Sequence, residues 1–107
     1  MIDWARVAEL RSEIGADDFG EVVDLFLEEV EAEVAGLTGP VQGLEARLHF
    51  LKGSALNLGF DRFSRLCQDG EVRAAGGDGQ SVDLAAIRDA YTQSRTQFLA
   101  ELDTRFD

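Results

Sequence analysis

The chain contains little of what several protein classes require. Of its 107 residues, one is cysteine, one is proline and one is histidine. A single cysteine, Cys67, cannot form an internal disulfide, and no apolar run is long enough for a membrane span. The first residues also lack the basic and then apolar pattern of a secretory signal. These absences predict a cytoplasmic protein without a membrane segment.

Positive charge is also scarce, since the chain has 10 basic and 21 acidic residues and a net charge of −11. A surface of this sign repels the phosphates of nucleic acids and of anionic membranes, so neither is an expected partner. The charge keeps the protein soluble and can influence which protein docks. A role as an acidic inhibitor of a basic partner would have only this charge to support it.

Apolar residues are frequent, at 45% of the total. Over most of the chain they recur every three or four residues, which is the spacing of an amphipathic α-helix. We expect five helical segments, at about 3–15, 17–37, 40–58, 61–75 and 82–105. Asp17, Asp61 and Ser81 are the expected N-caps of three of them, and Pro40 suits the first turn of the third.

Helices of this length joined by short turns pack antiparallel. The expected fold is therefore all-α, a single domain over residues 1–107. It is an up-down-up-down four-helix bundle at about 17–105, with a short additional helix at the N-terminus.

The only histidine, His49, lies in the third segment. On a helical wheel with about 100° per residue, the apolar side chains of this segment gather in one arc. The arc consists of Val41, Leu44, Leu48, Leu51, Ala55 and Leu58. His49 falls roughly 130° from its centre, so we expect the imidazole at the solvent or the rim. A core histidine is thereby excluded, whereas an idle surface histidine remains an alternative.

The residues three and four places after His49 share its side of the helix, and they argue against an idle role. Lys52 is placed to offset the roughly two negative charges of a phosphorylated imidazole. Gly53 leaves the approach to the imidazole open, although glycine costs about 1 kcal/mol in a helix. One turn further, Leu56 is an apolar residue on an exposed face, which indicates a contact surface.

The segment from His49 to Gly59, HFLKGSALNLG, resembles the signature of histidine phosphotransfer (HPt) domains, the intermediaries of two-component phosphorelays. In that signature a histidine is followed by leucine, lysine, glycine, serine and alanine, and a glycine closes the helix. A weaker similarity extends over the rest of the chain.

The resemblance implies that His49 accepts a phosphoryl group on Nε2, that Lys52 supports the phosphorylated form and that Gly53 leaves room for the partner. It also implies that Ser54 orients the helix or the histidine. Family members often place a glutamine near the imidazole, and here the equivalent position is Glu71. A carboxylate can accept a hydrogen bond from Nδ1–H, but it also repels a phosphate.

The implied partners are receiver domains of response regulators, with a hybrid histidine kinase as a further candidate. The receiver would supply the aspartate and a magnesium ion, and this chain would need no cofactor or metal of its own. We expect a monomeric phosphocarrier without autokinase activity. Its docking surface should surround His49 and include Leu56, with Leu10, Val22 and Leu25 as candidates from the first two helices.

Two other functions remain open at this point. A helical interaction module could bind a receiver or a kinase without being phosphorylated. A dimeric phosphotransferase built from helical hairpins is the weaker alternative, because it would usually carry a second, nucleotide-domain-like half, for which we expect no room in 107 residues.

Overall fold

The structure, a computed structural model, describes residues 2–106. This range contains five α-helices, a short 3-10 turn and no strand beyond one isolated β-bridge between Ile2 and Phe60. The helices are α1 (Trp4–Ile14), α2 (Ala16–Ala35), α3 (Leu44–Leu58), α4 (Asp61–Ala75) and α5 (Leu84–Arg105), and the 3-10 turn is Gly79–Ser81. Among these helices, none is long and apolar enough to cross a membrane.

Helices α2 to α5 pack side by side in sequence, and α5 returns to contact α2. Short connections between consecutive, mutually packed helices give the up-down-up-down order. α1 lies against α2 and α3. The predicted all-α bundle with a short additional N-terminal helix is confirmed.

The core lies along the axis of the bundle and is built from residues three or four apart on each helix. Its fully buried large side chains include Val30, Leu48, Leu51, Phe63, Ile87 and Phe98. Burying each of them stabilises the fold by about 2 kcal/mol. An aromatic cluster attaches α1 to the bundle, because Trp4 stacks on Phe98 with ring centroids 5.6 Å apart.

The predicted start of the third helix at residue 40 is wrong. Pro40 and Val41 lie in the loop, and α3 begins only at Leu44. The reason is local, since Gly39 and Gly43 both have positive φ angles, of 62° and 66°. A right-handed helix cannot contain that conformation, and glycine adopts it without a steric penalty.

The three predicted N-caps are also corrected. Gly15 occupies the N-cap of α2, so Asp17 lies within the first turn, where its negative charge interacts favourably with the helix dipole. Asp61 is the first helical residue of α4. Ser81 belongs to the 3-10 turn, and the N-cap of α5 is Asp83, whose carboxylate accepts a hydrogen bond from the Ala86 amide.

Candidate functional site

The imidazole of His49 stands on the outer side of α3. Its neighbour Leu48 and the following Leu51 are fully buried, which fixes the side of the helix that faces the core. The side chain of His49 is 69% exposed. The prediction that His49 points to solvent is therefore confirmed, and the imidazole can be reached by a second protein.

Close packing of α4 against α3 brings Glu71 to the histidine. The residue before it, Gly70, is buried against α3, and a β-carbon there would lie 2.9 Å from Leu48 Cδ1. The absence of that carbon lets the two helices approach. Glu71 Oε2 then lies 2.9 Å from His49 Nδ1, within hydrogen-bond distance.

The second oxygen of Glu71 pairs with the only lysine of the chain. Lys52 Nζ lies 2.8 Å from Glu71 Oε1, so the two groups form an ion pair. The Lys52 ammonium and, to a smaller degree, His49 hold the pKa of Glu71 below its ordinary value, against an opposing effect of desolvation. Glu71 is therefore a carboxylate at neutral pH, and Lys52 is its counterion.

This arrangement defines the chemistry available to the imidazole. When Nδ1 carries the proton and donates it to the Glu71 carboxylate, Nε2 is left with a free lone pair. Because the Glu71 contact is on the Nδ1 side of a largely exposed ring, Nε2 is the nitrogen available to an incoming electrophile. The site is a nucleophile on a convex helix face rather than in a cleft.

Two further residues of the predicted signature lie in different surroundings. Gly53 is exposed, and a β-carbon at that position would meet nothing within 4 Å, so its side of the helix is open. Ser54 is only 7% exposed and lies five residues from His49, roughly 140° around the helix axis. The structure therefore places Ser54 toward the bundle rather than beside the imidazole.

The predicted docking residues divide into three groups. Leu56 and Leu25 are large apolar side chains with exposures of 54% and 53%, whereas Val22 is half-buried. Leu10 is 6% exposed and belongs to the core, so its assignment to the docking surface is wrong. Helix α1 lies against both α2 and α3, which covers this side chain.

Sequence reasoning missed Phe50, the residue next to His49, which is 41% exposed. The helical wheel already indicates that Phe50 is exposed, because Phe50 also falls outside the apolar arc of its helix. An aromatic ring in water beside an exposed imidazole extends the apolar surface around the site.

Other reactive groups do not converge on this site. Burial, and secondarily the charge of Glu71, raises the pKa of the Cys67 thiol to about 12, so Cys67 stays neutral within the core. Within residues 2–106, no three histidine, cysteine or acidic side chains lie close enough to hold a metal ion. The reactive centre consists of His49, Glu71 and Lys52.

Comparison with known proteins identifies the family. The family model of the Hpt domain matches residues 21–104, a range that includes all three of these side chains. The phosphorelay protein LuxU of Vibrio vulnificus is 27% identical over 107 residues, covering 94% of this chain and 93% of that protein. The phosphorelay protein LuxU of Vibrio harveyi is 35% identical over 74 residues, covering 64% and 61%. No solved structure matches the chain. With most of its length matched by the family model, the chain belongs to the Hpt domain family.

Proposed function

We propose that the chain is a phosphorelay intermediate in which His49 accepts a phosphoryl group from the aspartyl phosphate of one receiver domain and passes it to another. The observation that supports this most is the exposed imidazole whose Nδ1 is bonded to Glu71, which leaves Nε2 as the nucleophile. Nε2 forms a bond to phosphorus, the acyl phosphate P–O bond breaks, and the aspartate leaves as a carboxylate. Transfer to the second receiver reverses these steps.

In this proposal Lys52 has two partners at different stages. It pairs with Glu71 while His49 is free, and it is one helical turn from the phosphoryl group once His49 is modified. The ammonium offsets the added negative charge, and the hydrogen bond from Nδ1–H to Glu71 keeps the ring in place. The magnesium ion that assists the transfer belongs to the receiver.

The receiver is proposed to dock over the exposed face around His49. The open side at Gly53 admits its active-site loops, and the apolar side chains of Leu56 and Phe50 provide contact area on either side of the histidine. Leu25, an exposed leucine on α2, is proposed as a further contact of the receiver. A hybrid histidine kinase would use the same face through its own receiver domain.

Transfer of a radioactive label from a phosphorylated receiver tests the proposal. The purified chain should acquire a label that is labile in acid and stable in alkali, as a phosphoramidate is. His49→Gln should not be labelled, because the chain has no second histidine. Since the His49 side chain is 69% exposed, this variant should keep the helical circular dichroism and the urea midpoint of the wild type.

Two outcomes would contradict the proposal. One is label on folded His49→Gln, which would place the phosphoryl group on another residue. The other is a wild-type chain that binds a phosphorylated receiver and takes no label from it, which would favour a non-phosphorylated interaction module.

A further inference from the structure

A second feature lies at the end of the bundle where α3 begins. It is a cavity of about 970 Å³, open to solvent, between the α2–α3 loop, the start of α3, the end of α4 and the start of α5. Most of its wall is apolar and includes Pro40, Val41, Leu44, Ala74, Val82 and Leu84. None of His49, Lys52 and Glu71 lines it, so it is separate from the phosphoacceptor site.

The wall is only partly covered by the protein itself. Val41, Leu44, Val82 and Leu84 each pack against the core on one side and remain half-buried. Sites for small molecules are concave, mostly apolar and about 300–1,000 Å³ in volume, with a few polar groups that fix orientation. An apolar body placed here would remove these four side chains from water.

One cation belongs to this wall. Arg88, near the start of α5, is half-buried and donates a hydrogen bond from Nη1 to the carbonyl of Leu37. No carboxylate lies within ion-pair distance of Arg88 in the part of the chain that the structure describes. In a protein with a net charge of −11, a half-buried guanidinium without an acidic partner is the group of this wall that can pair with an anion.

We propose that this cavity binds a small amphiphilic monocarboxylate. Its carboxylate pairs with Arg88, and its hydrocarbon body lies against Leu44 and Val82. A single positive charge suits one negative charge, and the acidic surface, including the exposed Glu45 at the rim, disfavours a ligand of higher negative charge. This site goes beyond phosphotransfer and does not depend on it.

Displacement of a fluorescent apolar monoanion, anilinonaphthalene sulfonate, by decanoate tests the proposal on the full chain. Gly79→Leu should fill the cavity, because a β-carbon at Gly79 lies 3.6 Å from Leu44 Cδ2 and its φ angle is not positive. Arg88→Gln removes the cation. Arg62→Gln is the matched control, an exposed arginine on α4 that pairs with Gln93 and lies outside the cavity.

We expect decanoate to displace the probe from the wild type, and decyltrimethylammonium, with the same chain and the opposite charge, to do so much more weakly. Loss of the charged hydrogen bond in Arg88→Gln should weaken decanoate about tenfold. Gly79→Leu should abolish binding, whereas Arg62→Gln and His49→Gln should bind as the wild type does. Retained binding by His49→Gln separates this site from the phosphoacceptor.

The proposal is overturned if decanoate does not displace the probe, if both amphiphiles displace it equally, or if Gly79→Leu binds decanoate normally. Arg88→Gln also loses the hydrogen bond to Leu37 and could unfold. In that case Gly79→Leu and the comparison of the two amphiphiles decide the question.

Discussion

At His49, one carboxylate contacts two groups, the imidazole and the Lys52 ammonium. Glu71 accepts the hydrogen bond from Nδ1 with one oxygen and pairs with Lys52 through the other. Before phosphorylation these interactions agree, because the carboxylate orients the ring and holds the ammonium nearby. After phosphorylation they conflict, because the carboxylate stands beside a new negative charge and competes with it for Lys52.

We therefore expect opposite effects from two substitutions at this site. Glu71→Gln keeps an oxygen that can accept from Nδ1–H but removes the charge, so the phosphohistidine should live longer, by about threefold. Lys52→Ala removes the counterion and should shorten that lifetime by a similar factor. The measurement is the decay of labelled protein at neutral pH, where the lowered pKa keeps Glu71 ionised in the wild type.

Glu45→Gln is the control for this comparison. It removes an equal charge one turn before His49, from an exposed side chain that forms no ion pair among the described residues. Its effect on the lifetime should be smaller than that of Glu71→Gln. Equal effects of the two substitutions would show that Glu71 has no specific influence on the phosphorylated state. A shorter lifetime for Glu71→Gln would show that the carboxylate stabilises the phosphohistidine, against this prediction.

At the scale of single residues, the sequence predicts the exposure of a side chain on its own helix better than it predicts contacts between residues of different helices. The wheel correctly placed His49 outside the core, since that requires only the period of one helix. The link between Lys52 and Glu71 depends on how α4 lies along α3, which no local pattern specifies. Leu10 was misplaced for the same reason, because its burial depends on the position of α1 on its neighbours.

At the scale of helices, two glycines have opposite surroundings. Gly53 on α3 faces open space, and Gly70 on α4 lies where a β-carbon would be 2.9 Å from Leu48 Cδ1 and 3.1 Å from Val82 Cγ1. Each glycine weakens its helix by about 1 kcal/mol relative to alanine. The first leaves open space on the side of α3 where the receiver is proposed to dock, and the second allows two helices of the same chain to pack closely.

Alanine at each position should separate these roles. Gly53→Ala should raise the free energy of unfolding by about 1 kcal/mol, because nothing opposes the gain in helix propensity. It should also slow transfer from the receiver, since the methyl group stands in the open approach. Gly70→Ala should lower the free energy of unfolding by about 1 kcal/mol, because overpacking exceeds that gain.

Urea unfolding of both variants checks the stability values, and the labelling rate checks the role of Gly53. A more stable Gly70→Ala would mean that the helices separate without cost. A Gly53→Ala variant that is labelled at the wild-type rate would show that the receiver does not need this clearance.

Helix existence followed from the sequence, but helix boundaries did not. The apolar period identified all five helices, whereas the start of α3 was placed four residues early. The backbone at Gly39 and Gly43 determines that start, and glycine spacing alone does not reveal which of several glycines has a positive φ angle. The end of α2, predicted at residue 37, was placed two residues late, because Leu37 is fully buried although it lies beyond the last helical residue, Ala35.

At the scale of the whole molecule, negative charge is concentrated on one helix. α2 contains eight acidic residues and no basic one: Asp17, Asp18, Glu21, Asp24, Glu28, Glu29, Glu31 and Glu33. Only Glu31 and Glu33 pair with a basic residue in the described part of the chain, with Arg95 and Arg47. The remaining carboxylates repel one another along a single exposed surface, and this repulsion is screened by salt.

Reversal of one of these charges should stabilise the protein at low salt. Glu28→Lys places an ammonium three or four residues from Asp24 and Glu31, and should raise the free energy of unfolding by about 0.5–1 kcal/mol. The control, Glu9→Lys on α1, changes the net charge by the same amount but breaks the ion pair with Arg6, so it should not stabilise the protein. Urea midpoints at low and high sodium chloride provide the measurement.

Equal stabilisation by both variants would mean that the net charge of the molecule, rather than the concentration of negative charge on α2, determines the effect. A gain for Glu28→Lys alone that shrinks as salt is added would locate the repulsion on α2, because screening acts most strongly on exposed charges.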